Sequence, residues 1–290
     1  MDSIVFDALG ANGSSSTSRV EFSVLAEAVS DFCWPSNAQI LACAEDLMTL
    51  PYELALAPAS FPGCDAILSR GDRPAAFIPL QLHDDANLLI YSEFETPAEV
   101  VRRTVGPLAD SGFLCVVKPH PATATRPGGL ERYEDAFQEA QKYRDRVVWL
   151  DLQGPRVPNP ILFGWTDCVV TVNSSVGFEA LYHDKPVVVL GQAVYKPNGI
   201  FPSLEDLCQE AIDEVSYQAK VSILREYFLS SYLVTSREAF ACQEFFYRVL
   251  ILDSCFGRFG CAAEEYVRDS YQAFAESTRK RRRAALMAGS

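Results

Sequence analysis

Residues 168–190 read CVVTVNSSVGFEALYHDKPVVVL, and the reading of this stretch decides the fold. Two wholly apolar runs, CVVTV at 168–172 and PVVVL at 186–190, flank a segment that starts with short polar side chains and continues with helix formers. A strand that is apolar at every position, rather than at every second one, is buried on both faces, and that is the situation of a strand in a parallel sheet covered by helices. Working outward, the same alternation recurs. RVVWL at 146–150 and FLCVV at 113–117 are two more such runs, with a helical pattern through Leu130 to Arg144 between them. Upstream, Thr96-Pro97-Ala98-Glu99 has the form of a capping box with proline at the first helical position, Val100, Val101, Val105 and Leu108 recur at helical spacing, and Gly112 closes the element. FIPLQL (77–82) and NLLIYS (87–92) read as two short extended runs. Strands alternating with amphipathic helices predict an α/β fold with a parallel sheet.

The flanks are less regular. Gly10 to Ser18 (GANGSSSTS) is polar and lacks bulky groups, so no structure is expected there. Between Val20 and about Ala76, helical stretches around Val24 to Cys33 and Ala38 to Leu50 are interrupted by Pro35, Pro51, Pro58 and Pro62. Beyond about Ile200 the strands stop, and Leu204 to Ala285 reads as several helices rich in Phe, Tyr and Leu. Three regions follow: a short N-terminal region over 1–76, a sheet domain over 77–200 and a helical C-terminal segment over 201–290.

Composition narrows the functional classes. A formal net charge of -13 argues against nucleic acid as a partner, because a phosphate backbone repels an acidic surface. The acidic, weakly apolar start of the chain reads as neither a signal peptide nor a membrane anchor, so a cytoplasmic protein is expected. Nine cysteines without a C-x-x-C pair fit neither a disulfide framework nor a zinc site, and read as small core residues. The sequence holds no G-x-x-x-x-G-K-[ST] loop, G-x-G-x-x-G turn, G-x-S-x-G elbow or H-E-x-x-H helix, and no D-x-D pair for a divalent ion. No metal or tightly held cofactor is implied.

In an open α/β sheet, ligands bind beyond the carboxyl ends of the strands, so the residues just past each apolar run carry the functional information. Lys118-Pro119-His120-Pro121 follows FLCVV, placing an ammonium and an imidazole at that edge between two prolines. It suits an anionic ligand, and equally a proline-stiffened strand exit with solvated side chains. Asn173-Ser174-Ser175 follows CVVTV and starts a helix, which is either a phosphate cradle or an ordinary N-cap. Glu179, one turn on, is placed to accept from ribose hydroxyls, or is a first-turn acid favoured by the helix dipole. His83 neighbours the Asp84-Asp85 pair, which by itself reads as a turn cap, and His183 reads as structural.

In combination and order, FIPLQLHDDANLLIYSEF (77–94), VVKPHP (116–121) and VVTVNSSVGFEALYHDKPVVVLGQAVYKPNGI (169–200) resemble the capsule polysaccharide biosynthesis family, whose members include Kdo transferases. The resemblance covers roughly residues 75 to 250. It implies a GT-B-like architecture: a Rossmann-like parallel sheet as the C-terminal, nucleotide-sugar-binding lobe, a shortened N-terminal acceptor-side region and a helical C-terminal segment. It also implies transfer of Kdo from CMP-Kdo to a glycolipid or polysaccharide acceptor. On that reading Asp85 is the catalytic carboxylate and His120 its partner at the leaving group. Gln81, Lys118, Asn173, Ser174, Ser175 and Glu179 would bind the nucleotide sugar. Two other readings stand beside it, a transferase using another CMP- or CDP-activated donor and a non-catalytic nucleotide- or glycan-binding partner of a transferase. The one basic run, Arg279 to Arg283, reads either as a peripheral contact with the anionic inner membrane or as a solvated helix end.

Overall fold

A computed structural model describes residues 3–5, 12–30, 63–154, 157–228, 232–235 and 262–269. The chain divides into two compact units, one formed by Leu50–Ala193 with Phe201–Tyr217 and the other by Met1–Thr49, Val194–Ile200 and Gln218–Ser290. The strands are β1 (Ser3–Val5), β2 (Ala75–Pro79), β3 (Leu114–Lys118), β4 (Val147–Trp149), β5 (Cys168–Thr171), β6 (Val187–Val189) and β7 (Leu233–Thr235). The helices are α1 (Phe22–Ser30), α2 (Cys64–Leu68), α3 (Ala86–Ile90), α4 (Pro97–Asp110), α5 (Gly129–Gln141), α6 (Asn159–Trp165), α7 (Ser175–Leu181), α8 (Leu204–Cys208), α9 (Glu214–Tyr227) and α10 over 263–269.

In the first unit β2 to β6 form one parallel sheet in the order β4-β3-β2-β5-β6, in register Ala75 with Leu114, Cys115 with Val147 and Val169 with Val187. This is the α/β parallel sheet expected from the apolar runs, and its order is Rossmann-like, as the family resemblance implies. All five residues of β2 and all four of β5 are buried, as strands covered on both faces must be. Ile78, Val101, Val105, Leu108, Val117 and Val170 are wholly enclosed in the core, and each such side chain stabilises the fold by roughly 1.5 to 3 kcal/mol. α4 begins where the capping pattern places it: the Thr96 hydroxyl accepts from Glu99 N at 3.2 Å, while the Glu99 carboxylate accepts from Glu95 N at 3.1 Å. Gly112, at φ 92°, sits in the left-handed region that lets the chain turn back into β3. Cys64, Cys115 and Cys168 are buried free thiols, and burial pushes the Cys115 thiol up to about 12.

NLLIYS is not extended: residues 86–90 are the short helix α3. The Asp85 carboxylate accepts from Asn87 N at 2.8 Å and caps it, and the apolar run has one buried face, Leu88, with Leu89 and Ile90 exposed. A local cap thus outweighs the strand preference of the run.

The second unit differs from expectation in two places. The serine-rich segment is ordered as two short 3-10 turns, Asn12–Ser14 and Thr17–Arg19, with Ser15, Ser16 and Thr17 fully buried. Hydrogen bonding takes the place of apolar packing there: Thr17 donates from its hydroxyl to the Val194 carbonyl, and Ser18 donates to Gly13 O at 2.8 Å. Strands also continue past residue 200, because β7 pairs antiparallel with β1, Ile4 opposite Val234. A three-residue strand paired across almost the whole chain shows no period of its own. α1 matches the helical pattern from Val24, ending at Ser30. The stretch Ala38 to Leu50 and the basic run at 279–283 lie outside the described residues. Among the described residues no helix is long and apolar enough to cross a membrane.

Candidate functional site

Parallel pairing brings the carboxyl ends of all five strands to one edge, with β3, β2 and β5 side by side at its centre. The chain builds β3 and β4 on one side of β2, then returns to the other side for β5 and β6. The strand order therefore reverses between β2 and β5, and the crevice beyond their ends is where an open α/β sheet binds its ligand.

Gln81, only 8% exposed, spans this crevice. Its Nε2 donates to Asn173 Oδ1 at 2.9 Å and to Asp85 Oδ2 at 3.1 Å, and its Oε1 accepts from Asn173 N at 3.2 Å. Asn173 Nδ2 in turn donates to the carbonyls of Asn87 at 2.7 Å and Tyr91 at 3.4 Å. Three expected site residues, from two strand ends, thus form one hydrogen-bonded cluster. Gly191 keeps room for it, since a Cβ there would stand 2.8 Å from Tyr91 O and 3.1 Å from Asn173 Nδ2.

Lys118 belongs to a second cluster. Its Nζ donates to Val157 O at 2.7 Å and to Asn159 Oδ1 at 2.6 Å, and Asn159 Nδ2 donates to Glu179 Oε2 at 3.1 Å. Asn159 relays the end of β3 to α7, a connection no sequence motif announced. The only trace is the Pro-Asn-Pro at 158–160 that starts α6. Burial lowers the Lys118 pKa, and Glu179 partly restores it.

His120 Nδ1 accepts from Ala122 N at 3.1 Å, so the neutral ring carries its proton on Nε2. Burial lowers its pKa, Asp85 opposes that, and Arg126 and Lys118 add to it. Asp84 is the outward member of the acidic pair, 3.8 Å from Arg126. Ser174 caps α7, its hydroxyl accepting from Val176 N at 3.3 Å while its own N–H donates to Thr171 Oγ1 at 3.4 Å. Ser175 follows, exposed, as the first residue of that helix. His183 lies away from this edge, its ring 4.8 Å from that of Phe163. Among the described residues no three His, Cys, Asp or Glu side chains converge as metal ligands.

The edge therefore offers a cation, a proton-bearing imidazole, a helix start with hydroxyls and a carboxylate held by an amide. That set suits an anionic ligand with hydroxyl groups.

The chain is similar to the capsule polysaccharide modification protein LipB of Neisseria meningitidis, 26% identical over 129 residues that cover 42% of this chain and 29% of that protein. It is similar to the capsule polysaccharide export protein KpsS of Escherichia coli, 25% identical over 127 residues, covering 42% of this chain and 31% of that one. The chain thus spans about a third of the length of these relatives. Among solved structures, Thermosulfurimonas dismutans KpsC, a β-Kdo 2,7 transferase, overlays at a TM-score of 0.37, with 21% identity over 69% of this chain and 65% of that one. The family model described as capsule polysaccharide biosynthesis protein matches residues 59–224, more than half of the chain and every candidate residue named above. The protein belongs to the capsule polysaccharide biosynthesis family.

Proposed function

We propose that this protein is a glycosyltransferase that moves Kdo from CMP-Kdo to a glycolipid or polysaccharide acceptor in surface polysaccharide synthesis. The observation that carries the reading is the Gln81 bridge. It ties the carboxylate of Asp85 to Asn173 across the crevice at the strand-order reversal, 3.1 Å on one side and 2.9 Å on the other. In this reading Ser174 and Ser175 at the start of α7 take the nucleotide phosphate together with Lys118, two of whose three ammonium hydrogens are already committed. Glu179, oriented by Asn159, holds the ribose. The region over 1–76 contributes to the acceptor side, and the enzyme works in the cytoplasm at the inner membrane without a metal ion.

Chemistry follows from the groups present. Asp85 attacks the anomeric carbon, the bond from that carbon to the phosphate oxygen breaks, and CMP leaves with its charge stabilised by Lys118 and the Nε2 proton of His120. The acceptor hydroxyl then attacks the same carbon, gives its proton to water and displaces Asp85 as a carboxylate, so two inversions retain the configuration. Gln81 fixes the carboxylate throughout.

A second reading has its own observation: both Asp85 oxygens are engaged, one capping α3 and one with Gln81, which suits a nucleotide- or glycan-binding partner of a transferase. Incubation with CMP-Kdo followed by intact-mass spectrometry separates the two. One Kdo on the native chain and none on Asp85→Ala supports the transferase. CMP binding without CMP release or an adduct, for any acceptor tried, favours the binding partner. Turnover with another CMP- or CDP-sugar in place of CMP-Kdo corrects the donor.

A further inference from the structure

His120 is tied twice to the residues just after it. Its Nδ1 accepts from Ala122 N at 3.1 Å, and its carbonyl accepts from Thr123 N at 2.9 Å. The chain then winds on through further turns to the first residue of α5. Thr125 N donates to Ala122 O at 3.0 Å, Arg126 N to Thr123 O at 3.2 Å and Gly129 N to Arg126 O at 3.0 Å. Arg126 is extended there, at φ -97° and ψ 142°, which is the backbone that a following proline imposes, and Pro127 follows.

The closure depends on Gly129. It is buried, and a Cβ built on it would overlap Thr123 O and stand 3.0 Å from Thr123 C. Backbone atoms cannot retreat as the tip of a flexible side chain can, so any side chain at 129 forces the turn away from the helix start. Gly128 differs: its φ of 68° is left-handed, yet a Cβ there meets none of the described residues within 4 Å. One glycine serves backbone conformation and the other close approach.

We propose that Gly129 is a positioning residue for the site: by letting α5 start against the Thr123 carbonyl it keeps the 120–126 turn closed, and the closed turn fixes the His120 proton on Nε2. The inference rests on the reading above, in which that proton meets the departing phosphate, and adds what holds it there. An opened turn frees Nδ1 to take the proton instead. It also releases Arg126, which with Lys118 and Asp85 makes up the charged groups acting on this imidazole. The bond from Ala122 N and the Arg126 charge both favour the neutral ring, so losing them makes His120 easier to protonate.

The test follows the imidazole resonances by NMR between pH 5 and pH 8 in the native protein, Gly129→Ala, Gly128→Ala and Pro127→Gly, each checked for a melting transition. The chain has three histidines, so His83 and His183 serve as internal references. In Gly129→Ala, His120 is expected to titrate at higher pH than in the native protein and to show the Nδ1–H tautomer, with the other two rings unmoved. Gly128→Ala strains the same helix start without pressing on Thr123, and should leave His120 as it is. Pro127→Gly adds no atom but loosens the link between turn and helix. It should move His120 the same way by less, and its result decides the matter if Gly129→Ala does not fold. With CMP-Kdo and acceptor, kcat of Gly129→Ala should fall roughly 10- to 100-fold, the cost of displacing a catalytic group by about 1 Å, while CMP affinity changes less. An unmoved His120 ring, equal movement in Gly128→Ala or in all three histidines, or a moved ring with unchanged kcat overturns the inference and leaves the nucleotide site standing. His120 rings that move as expected in a protein that transfers nothing from any CMP- or CDP-sugar uphold the role of Gly129 and overturn the transferase reading.

Discussion

The two sides of Gln81 contrast sharply. Toward β5, and in the relay that ties Lys118 at the end of β3 to α7, the polar groups are bound to one another: Asn173 to the carbonyls of Asn87 and Tyr91, Lys118 to Asn159, Asn159 to Glu179. Toward β3, His83 leaves a buried nitrogen unpaired among the described residues and His120 has one ring nitrogen fixed and the other reserved. A network satisfied within the protein is rigid and presents a fixed surface, which suits a constant portion such as a nucleotide. A buried nitrogen without a partner forfeits its hydration with nothing in return, so that side is the less settled of the two.

The largest effect should come from the residue that belongs to neither side. Asp85→Asn is expected to lower kcat by several orders of magnitude with CMP affinity nearly unchanged, because the lost interaction exists in the transition state. Steady-state kinetics beside a CMP titration reads both, and a parallel loss of affinity would make Asp85 part of the rigid side. Next in size is Asn159→Ala, which releases Lys118 and Glu179 together. A charge-assisted hydrogen bond contributes about 1.5 to 3 kcal/mol, so CMP affinity should fall roughly 10- to 100-fold. Unchanged affinity would show that the relay is only structural.

His120 should move the pH response. Burial holds its pKa below the ordinary imidazole value, so the folded state resists protonation more than the unfolded chain does. The stability it contributes is then present above the ordinary value near 6.5 and is lost as pH falls from there toward the lowered one. The melting temperature of the native protein should drop more between pH 7 and pH 5 than that of His120→Asn, and equal drops would contradict the shift. Smaller still is Gly191→Ala, whose methyl would press on Tyr91 O and Asn173 Nδ2. It should cost roughly 1 to 3 kcal/mol of stability, measured by urea unfolding, and loosen the β5 side before the β3 side.

Legibility followed the same divide between what is local and what is not. β3, β5 and β6 were readable because each lies in an unbroken apolar run, and Lys118, His120 and Asn173, at or just beyond the ends of those runs, could be named for that reason alone, whereas Gln81 lies inside the run FIPLQL and was named by the family resemblance. α3 was misread because Leu88 to Ile90 is an apolar run in sequence while the decisive group, the Asp85 cap, is one short side chain upstream. Ser15, Ser16 and Thr17 were unreadable because their burial depends on partners far along the chain, such as the Val194 carbonyl. Asn159 was missed for a related cause: it lies after neither β3 nor β5 yet connects both. The family resemblance supplied roles for Asp85 and Glu179 that their positions left open between capping and chemistry.

The central claim is that the crevice at the strand-order reversal binds a cytidine nucleotide through Lys118, Asn173 and the start of α7. Isothermal titration of CMP into the native protein, Lys118→Ala and Ser174→Ala tests it most directly. The account predicts measurable binding by the native protein and affinity reduced roughly 10- to 100-fold in both variants. CMP affinity identical in all three proteins, or no binding by the native one, would contradict it.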